Sequence, residues 1–331
     1  MIFRDEDHID VPIATLSLLT QQHTFILTTG IALVLALASI IGLGLKIAVA
    51  KRQPHGAIDN LNSRVNAWWV ICIAVGLALF AGRIGVVLLF AFASFAALRE
   101  FVAPEMDRPV TPTAMLACLF AVVLLQYLFV ARGDYPFYAL FIPVLVVALT
   151  GFALARRSRK ERNATVLVRC SVGLVIAVWC LSFAPALLTL DIVGYEGRNA
   201  FLLVFLILVV QSCDVLQYLW GKLAGRRKVA PTLSPSKTVE GSVGGIASAT
   251  MLGALLSPIT PFTVVEAAVI SLILTLLGFL GGLALSAEKR RRGIKDWGTL
   301  IPGHGGMLDR LDSMFLSAPV FFQLVRVGWA S

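Results

Sequence analysis

Residues 293–312, GIKDWGTLIPGHGGMLDRLD, mix acidic, basic and glycine residues between two long apolar stretches. Asp309 and Asp312 are three residues apart at the start of the second stretch, so a helix there would project both carboxylates from one face. Carboxylate oxygens are hard ligands of the kind that Mg²⁺ binds. The glycines around His304 allow positive φ angles and a close approach of the backbone to a ligand. The pattern predicts a site for a polyanion and a divalent metal.

A run of basic residues stands directly before this segment. Residues 289–292 read KRRR, and Lys295 and Asp296 follow after two residues. Adjacent residues diverge by about 100° in a helix and face opposite sides of a strand, so Lys295 and Asp296 need not pair with each other. Acidic residues alone are common at the start of a helix, because their negative charge interacts favourably with the helix dipole. Acids, cations and glycines together instead favour a magnesium–triphosphate complex.

A second polar segment, residues 211–245, begins near the end of another apolar run and places Asp214 inside that run. A charged side chain at the centre of a membrane helix costs roughly 2.5–3.5 kcal/mol on insertion scales. Such an acid is therefore usually accompanied by a cation or a polar cavity. We expect Asp214 to have one of these partners.

The sequence SPSKTVEGSVGG at residues 234–245 offers groups that suit a phosphate. The hydroxyls of Ser234 and Thr238 and the ammonium of Lys237 precede glycines that open the next helix. Backbone N–H groups at a helix N-terminus bind phosphate well when a lysine is nearby. A capped helix start, with Thr238 or Ser236 as N-cap, is the alternative. The spacing leaves both interpretations open.

The composition identifies the setting of these segments. Of the 331 residues, 58% are hydrophobic and 14% are charged, whereas a soluble domain carries about a quarter charged residues. The chain is therefore predicted to be an all-α polytopic membrane protein. The net charge of +9 is typical of basic cytoplasmic loops that face anionic lipid, so we expect a lipid bilayer as partner and no nucleic acid. The five cysteines form no CxxC pair, which argues against a disulfide framework and a zinc site.

Apolar runs recur along the chain at lengths close to the ~20 residues that a membrane-spanning helix needs. About ten spans are predicted, at residues 24–47, 66–82, 84–101, 113–131, 136–155, 166–190, 199–221, 241–256, 262–285 and 307–329. Only Gly82 and Arg83 separate the second span from the third. If that pair is one bent or re-entrant helix, the count is nine spans.

Basic residues predict the orientation. Lysine and arginine concentrate in loops 48–65, 102–112, 156–165, 222–240 and 286–306, and the alternate loops hold few. The positive-inside rule places the basic loops in the cytoplasm, with both chain termini outside. The two polar segments then lie at the cytoplasmic face. We interpret residues 1–165 as a transmembrane scaffold and residues 166–331 as the catalytic region, with motifs at 211–245 and 286–312.

Together the two segments describe a cytoplasmic pocket for a polyanion and a divalent metal. The chemistry that suits it is phosphoryl or nucleotidyl transfer onto a membrane substrate, in which charge neutralisation and positioning dominate.

The motifs resemble those of the integral-membrane phosphatidate cytidylyltransferases, also called CDP-diacylglycerol synthases. That signature is a serine, KR, KD, PGHGG and DRxD in order, and it matches Ser286, Lys289–Arg290, Lys295–Asp296, 302–306 and 309–312. An upstream block of an aspartate, YxxGK and SPxKTxEG also matches, at Asp214, Tyr218–Lys222 and Ser234–Gly241. The resemblance covers about residues 200–330, and only membrane character extends it further.

The resemblance implies an enzyme of a bacterial-type inner membrane that condenses CTP with phosphatidic acid. The products would be CDP-diacylglycerol and pyrophosphate, with Mg²⁺ as cofactor and a second cation left open. It also implies a homodimer. The phosphatidate oxygen attacks the α-phosphorus of CTP, so no protein nucleophile is needed.

Roles carry over from the matching positions as hypotheses. Asp309 is the first candidate metal ligand, followed by Asp296, Asp312 and Asp214. Asp309, Lys295, Asp296 and His304 are the candidate catalytic residues, and His304 would shape the glycine turn or assist pyrophosphate departure. The groups expected to bind CTP are Ser234, Lys237, Lys289, Arg290, Lys295, Gly305, Gly306 and Arg310. We expect Asp309→Asn to abolish turnover while the protein stays folded.

The chain departs from the family pattern just before the KR pair. Many members have GDLxES there, but this chain has GGLALS, so Gly282 replaces an aspartate and Leu285 a glutamate. Glu288 also occupies a position that is usually apolar. If the aspartate is a metal ligand in the family, either Asp214 or a solvent ligand substitutes here, or activity is lost. We interpret the chain as a divergent branch, because the other charged motif positions are present.

Two other functions remain open. A cytidylyltransferase for a different lipid phosphate would fit the altered GGLALS region. A non-catalytic transporter or flippase of anionic lipid would instead hold charges at the bilayer midplane and show repeat symmetry. The charges cluster towards one face, which favours an interfacial enzyme.

Overall fold

The fold is known from a computed structural model, which describes residues 13–48, 56–106, 113–155, 161–300 and 305–330. By the density of internal contacts the chain divides into two units, residues 1–69 and 70–331. His304, Pro302 and Gly303, which the sequence places in the predicted site, lie outside the described residues.

The first unit contains helix α1 (Ile13–Ala48) and the beginning of α2 (Gly56–Phe80). Lys46 Nζ lies 2.6 Å from Asp59 Oδ1, which joins the end of α1 to the first turn of α2. Farther along the pair, Trp69 Nε1 donates to Ser39 Oγ at 3.1 Å.

The second unit is built from helices and one small hairpin. Its helices are the end of α2, α3 (Gly82–Met106), α4 (Thr113–Arg132), α5 (Tyr135–Ala155), α6 (Glu161–Leu174), α7 (Cys180–Ala186), α8 (Ala200–Leu223), α9 (Val239–Leu255), α10 (Val264–Arg291), α11 (Leu308–Leu311) and α12 (Met314–Gly328). A π-helical stretch, Val175–Trp179, joins α6 to α7. Strands β1 (Lys228–Ala230) and β2 (Ser234–Thr238) pair antiparallel, with Lys228 opposite Thr238 and Ala230 opposite Ser234.

The ten predicted spans each coincide with a helical segment. Within the described residues, six segments are long and apolar enough to cross a membrane: Gln21–Ala48, Gly82–Ala103, Tyr135–Phe152, Val166–Thr189, Ala200–Leu223 and Val264–Arg291. Four shorter apolar helices accompany them: Val65–Phe80, Ala117–Arg132, Val239–Leu255 and Met314–Gly328. Helix α2 ends at Phe80, and Gly82, at φ +72°, begins α3. The all-α polytopic membrane fold is confirmed.

The core of the second unit lies where α7, α8 and α12 meet. Phe183, Leu202, Phe205, Phe321 and Phe322 are at most 1% exposed. Many other large apolar side chains are exposed, as expected for helices whose outer faces contact lipid rather than water.

Buried polar side chains join the helices inside this core. Gln126 Nε2 donates to the Tyr138 carbonyl at 2.8 Å and to Ser182 Oγ at 2.9 Å. These bonds tie α4 to α5 and α7. A buried amide in such a setting needs partners because no water is available to it.

Helices α8 and α9 pack most closely, and glycines allow the approach. A Cβ on Gly244 would lie 2.6 Å from Trp220 Cγ, and one on Gly245 would lie 2.6 Å from the Gln217 nitrogen. The glycines that follow Thr238 therefore serve helix packing. This packing brings Asp214 of α8 beside the hairpin that carries Lys237.

Candidate active site

A buried ion pair lies at the centre of the candidate site. Lys289, in the last turn of α10, places Nζ 2.7 Å from Oδ1 of Asp309 in α11. The two side chains are only 11% and 5% exposed. Removing one partner of a buried pair leaves an uncompensated charge, which typically costs about 3–5 kcal/mol.

The second carboxylate oxygen of Asp309 holds the glycine-rich loop. Oδ2 accepts hydrogen bonds from the backbone nitrogens of Trp297 at 2.8 Å and Gly306 at 2.9 Å. Gly305 has φ +82°, and a Cβ there would lie 2.7 Å from Oδ2. Gly305 is therefore required both by its backbone angle and by its closeness to the carboxylate. Asp309 organises the loop as well as pairing with Lys289.

Glu100 of α3 supports the same loop from the other side. Its Oε1 accepts from the Met307 nitrogen and its Oε2 from the Leu308 nitrogen, both at 2.9 Å. A Cβ on Gly298 would lie 2.7 Å from Glu100 Oε1. The carboxylate thus caps the start of α11, whose first N–H groups have no partners within the helix.

Sequence reasoning missed Glu100, because residues 1–165 were interpreted as scaffold. The available signal was an acid near the end of an otherwise apolar span, which is a functional-site hypothesis by default. Its partner, a glycine loop about 200 positions away in the chain, could not be recognised from local sequence.

A second charged cluster joins α8, β2 and the start of α12. Asp312 interacts electrostatically with Asp214 and Lys237. Lys237 Nζ lies 3.1 Å from where a Cβ on Gly282 would be, and Asp312 Oδ2 lies 3.9 Å from the same point. The sequence predicts a cation or a polar cavity beside Asp214, and in the structure Lys237 is that cation.

The surroundings of Gly282 show what is lost where glycine replaces the family's aspartate. An aspartate there would point at the Lys237 ammonium and Asp312. With glycine, Asp214 and Asp312 are the acids of this cluster, and Lys237 occupies the space beside them. Leu285, one turn later, is 2% exposed and packs in the core.

The cluster fits a divalent cation whose shell is completed by other ligands. Within the described ranges, no three His, Cys, Asp or Glu side chains are gathered closely enough to hold a metal by themselves. Mg²⁺ is usually held by one or two carboxylates, with waters and substrate phosphates completing its shell. Asp214 and Asp312 fit that role, and Asp309, whose oxygens already accept three bonds, fits it less directly.

The remaining predicted residues surround the two clusters. Arg290 donates from Nε to the Leu233 carbonyl at 3.3 Å and from Nη1 to the Ile294 carbonyl at 3.2 Å, which links α10 to the hairpin. The backbone carbonyl of Arg310 accepts from Gln211 Nε2 at 2.9 Å, which links α11 to α8. Ser234 begins β2 and is half-buried.

Lys295 and Asp296 are exposed on the loop that follows α10. A Cβ added to Gly305 would lie 3.3 Å from the Cβ of Asp296 and 2.7 Å from Asp309 Oδ2, so Asp296 lies beside the Asp309 carboxylate. Asp296 and Lys295 therefore adjoin the site but are not part of the buried pair.

Thr238 is the N-cap of α9, as one of the two alternatives predicted. Its Oγ1 accepts from the Gly241 nitrogen at 3.1 Å. Glu240 reaches back and accepts from the backbone nitrogens of Arg226 at 2.9 Å and Arg227 at 3.1 Å. Phosphate binding at this helix start stays a prediction.

Comparison with known proteins identifies a matching family. A model described as "Cytidylyltransferase family" matches residues 62–327. The uncharacterized protein YnbB of Escherichia coli K12 is 34% identical over 281 residues, which cover 83% of this chain and 90% of that protein.

Two relatives carry the name phosphatidate cytidylyltransferase. The protein of Staphylococcus saprophyticus is 39% identical over 130 residues, 38% of this chain and 50% of the relative. That of Bacillus subtilis is 40% identical over 121 residues, 36% of this chain and 45% of the relative. The chain thus matches about half the length of these two enzymes. The family match, in contrast, spans nearly all of the second unit and contains both charged clusters. The chain belongs to the cytidylyltransferase family.

Proposed function

We propose that this nucleotidyltransferase is a CTP:phosphatidate cytidylyltransferase of phospholipid biosynthesis. The observation that carries the proposal is the arrangement around the end of α10. There the Lys289–Asp309 pair orders a glycine loop, and Asp214, Asp312 and Lys237 gather beside it. Cationic side chains that can bind a triphosphate therefore lie beside two carboxylates that can bind its metal, within a membrane protein. The names of the half-length relatives support this substrate pair.

In the proposed reaction a phosphate oxygen of phosphatidic acid attacks the α-phosphorus of CTP. A new P–O bond joins the two phosphates, the bond from the α-phosphorus to the bridging oxygen breaks, and pyrophosphate leaves with that electron pair. Lys237, Lys289, Arg290, Lys295 and Arg310 neutralise the phosphates, together with the N–H groups of the glycine loop. Asp296 and His304 adjoin this loop in the sequence. Mg²⁺ held by Asp214 and Asp312 would supply further charge neutralisation.

A different lipid phosphate is the alternative acceptor. The altered GGLALS region permits it, because Gly282 removes from the cluster a carboxylate that would lie beside Lys237. A non-catalytic role in moving anionic lipid is the remaining alternative, and no described feature favours it over catalysis. The proposal also includes a cytoplasmic active site, a bacterial-type inner membrane, termini outside and a homodimer.

The test is CTP-dependent conversion of phosphatidic acid by the purified full chain in detergent. We expect product that requires Mg²⁺ and that falls at least 100-fold in Asp312→Asn, since the cation and its ligand act on the transferred phosphate. Asp191→Asn is the matched control, because Asp191 is exposed and lies in the loop before α8, outside both clusters. Turnover with another lipid phosphate alone would select the alternative acceptor. Absence of both turnover and CTP binding would contradict an enzymatic role.

A further inference from the structure

A groove on the side of the second unit is not used by the chemistry described above. It lies between α3, the α6–π segment, α10 and α12 and encloses about 210 Å³. Its walls are apolar, formed by Phe101, Val168, Val172, Ile176, Leu285 and Phe315. Val168 and Val172 are 37% and 44% exposed, so the groove opens sideways. In a membrane-spanning region that opening faces lipid. We name it the lateral groove.

One end of the lateral groove is positively charged. Arg169, Arg291 and Arg292 line it together with a single acid, Glu288. Arg291 and Arg292 lie at the basic end of α10, which the positive-inside rule assigns to the cytoplasmic surface, and Arg169 lies on α6. An apolar channel with an arginine-rich end complements a lipid whose headgroup is anionic.

Arg292 is held in place with part of its hydrogen-bonding capacity unused. Its Nε donates to Glu288 Oε1 at 2.7 Å and its Nη1 to the Phe101 carbonyl at 2.7 Å. The side chain is 9% exposed and lies over the Phe101 ring at 4.2 Å. Its Nη2 is buried and has no hydrogen-bond acceptor among the described residues. A buried guanidinium N–H without an acceptor is costly, so this atom favours an incoming anion.

The lateral groove is connected to the candidate active site. Arg292 lies 5.1 Å from the Trp297 ring, and the backbone nitrogen of Trp297 donates to Asp309. Arg292 is also three residues after Lys289 on the same helix end, which is less than one helical turn. A phosphate held at Arg292 is therefore next to the Lys289–Asp309 pair.

We propose that the lateral groove docks the acceptor lipid of the reaction, a lipid with a terminal phosphate. Its phosphate lies between Arg291 and Arg292, and the first part of an acyl chain packs against Val168, Val172 and Ile176. This inference rests on the proposed function, because it names where that reaction's second substrate enters.

The test uses phosphatidic acid that carries a photoactivatable group near the glycerol, with the full chain in nanodiscs and without CTP. We expect crosslinks in residues 166–176 and 284–292, and a loss of most of them in Val172→Trp, which fills the groove. Val269→Trp is the matched control, since Val269 is 52% exposed on α10 and does not line the groove. A phosphatidylglycerol probe of the same design measures whether any anionic lipid suffices.

Kinetics supply a second readout. Arg291→Gln is expected to raise the KM for the lipid roughly five- to tenfold, because one charged hydrogen bond is lost and the 76% exposed side chain makes that bond weaker than a buried one. The KM for CTP is expected to stay unchanged. Crosslinks outside the groove, or equal labelling by phosphatidylglycerol, would overturn the proposal. Selective labelling by phosphatidic acid in a chain without turnover would support the docking site and contradict only the proposed reaction.

Discussion

At the scale of single residues, the acids of the site divide into two kinds. Asp309 accepts bonds from Lys289, Trp297 and Gly306, so its carboxylate is largely committed to the protein. Asp312 instead interacts electrostatically with Asp214 and with Lys237, whose ammonium lies beside Gly282. We therefore expect Asp309 to stabilise the structure of the loop and Asp312 to bind the divalent cation.

The first prediction separates these roles. Asp309→Asn is expected to destabilise the protein by about 3–5 kcal/mol, because it leaves the Lys289 charge buried without its partner. This revises the expectation from sequence that the variant stays fully folded. Asp312→Asn is expected to retain its melting temperature, and its residual activity is expected to require a higher Mg²⁺ concentration. Thermal unfolding in detergent and Mg²⁺ titration measure the two effects, and equal melting temperatures of Asp309→Asn and wild type would contradict the division.

The second prediction concerns Glu100 as a positioning residue. Glu100→Gln can keep one of the two hydrogen bonds to the start of α11, and the lost charge-assisted bond loosens the loop. We expect kcat/KM for CTP to fall roughly 10- to 100-fold, as small misplacements of reacting groups do. Trypsin cleavage after the exposed Lys295 is expected to become faster. Arg99→Gln, at the exposed neighbouring position, is the control, and unchanged cleavage and activity in Glu100→Gln would refute the role.

The third prediction concerns Gly282. Gly282→Asp places a carboxylate beside Lys237 Nζ and Asp312 Oδ2, and the flexible lysine end can move to admit it. A third acid strengthens binding of a divalent cation, so we expect half-maximal activity at a several-fold lower Mg²⁺ concentration. Gly282→Asn is the control, because it adds a side chain of similar volume without the negative charge. An unchanged or higher Mg²⁺ requirement in Gly282→Asp would mean that the cation does not bind near this point.

At the scale of elements, the close contact of α8 with α9 fixes where Asp214 and Lys237 meet. The glycines of α9 allow this contact by leaving room for Gln217 and Trp220. Sequence reasoning interpreted the same glycines as part of a phosphate site, because a glycine-rich helix start suits either purpose. Only the position of α8 shows that these glycines face a helix.

The fourth prediction follows from that packing. A Cβ from Gly244→Ala would lie 2.6 Å from Trp220 Cγ, so we expect a loss of about 1–3 kcal/mol of stability from overpacking. Gly151→Ala is the control, since a Cβ there meets no atom within 4 Å, and its melting temperature should not fall. Melting temperatures in the same detergent compare the two. A Gly244→Ala protein as stable as wild type would show that α8 and α9 can separate at little cost.

At the scale of the whole molecule, the family match and the second unit nearly coincide, at residues 62–327 and 70–331. The catalytic motifs all lie after residue 200, but Glu100 in α3 completes their loop. Helix α3, in the first half of the second unit, therefore belongs to the candidate site, although sequence reasoning treated it as scaffold.

The fifth prediction concerns orientation in the membrane. Arg132→Cys lies in a loop predicted outside, and Arg227→Cys lies in a loop predicted cytoplasmic. After the exposed Cys118 is replaced by serine, an impermeant maleimide is expected to label Arg132→Cys in intact cells. Arg227→Cys is expected to react only after permeabilisation. The reverse pattern would place the active site on the opposite face.

The sequence by itself determined the membrane setting, the ten apolar helices and the family, because length, hydrophobicity and ordered motifs are properties of the chain alone. It also identified Asp309, Asp312, Lys237 and Lys289 as functional candidates. Only the tertiary structure decided which charges pair, that Glu100 supports the loop, and that the glycines of α9 face α8. Those contacts join residues from distant helices, and the free energy of each depends on burial and distance, which no local pattern contains.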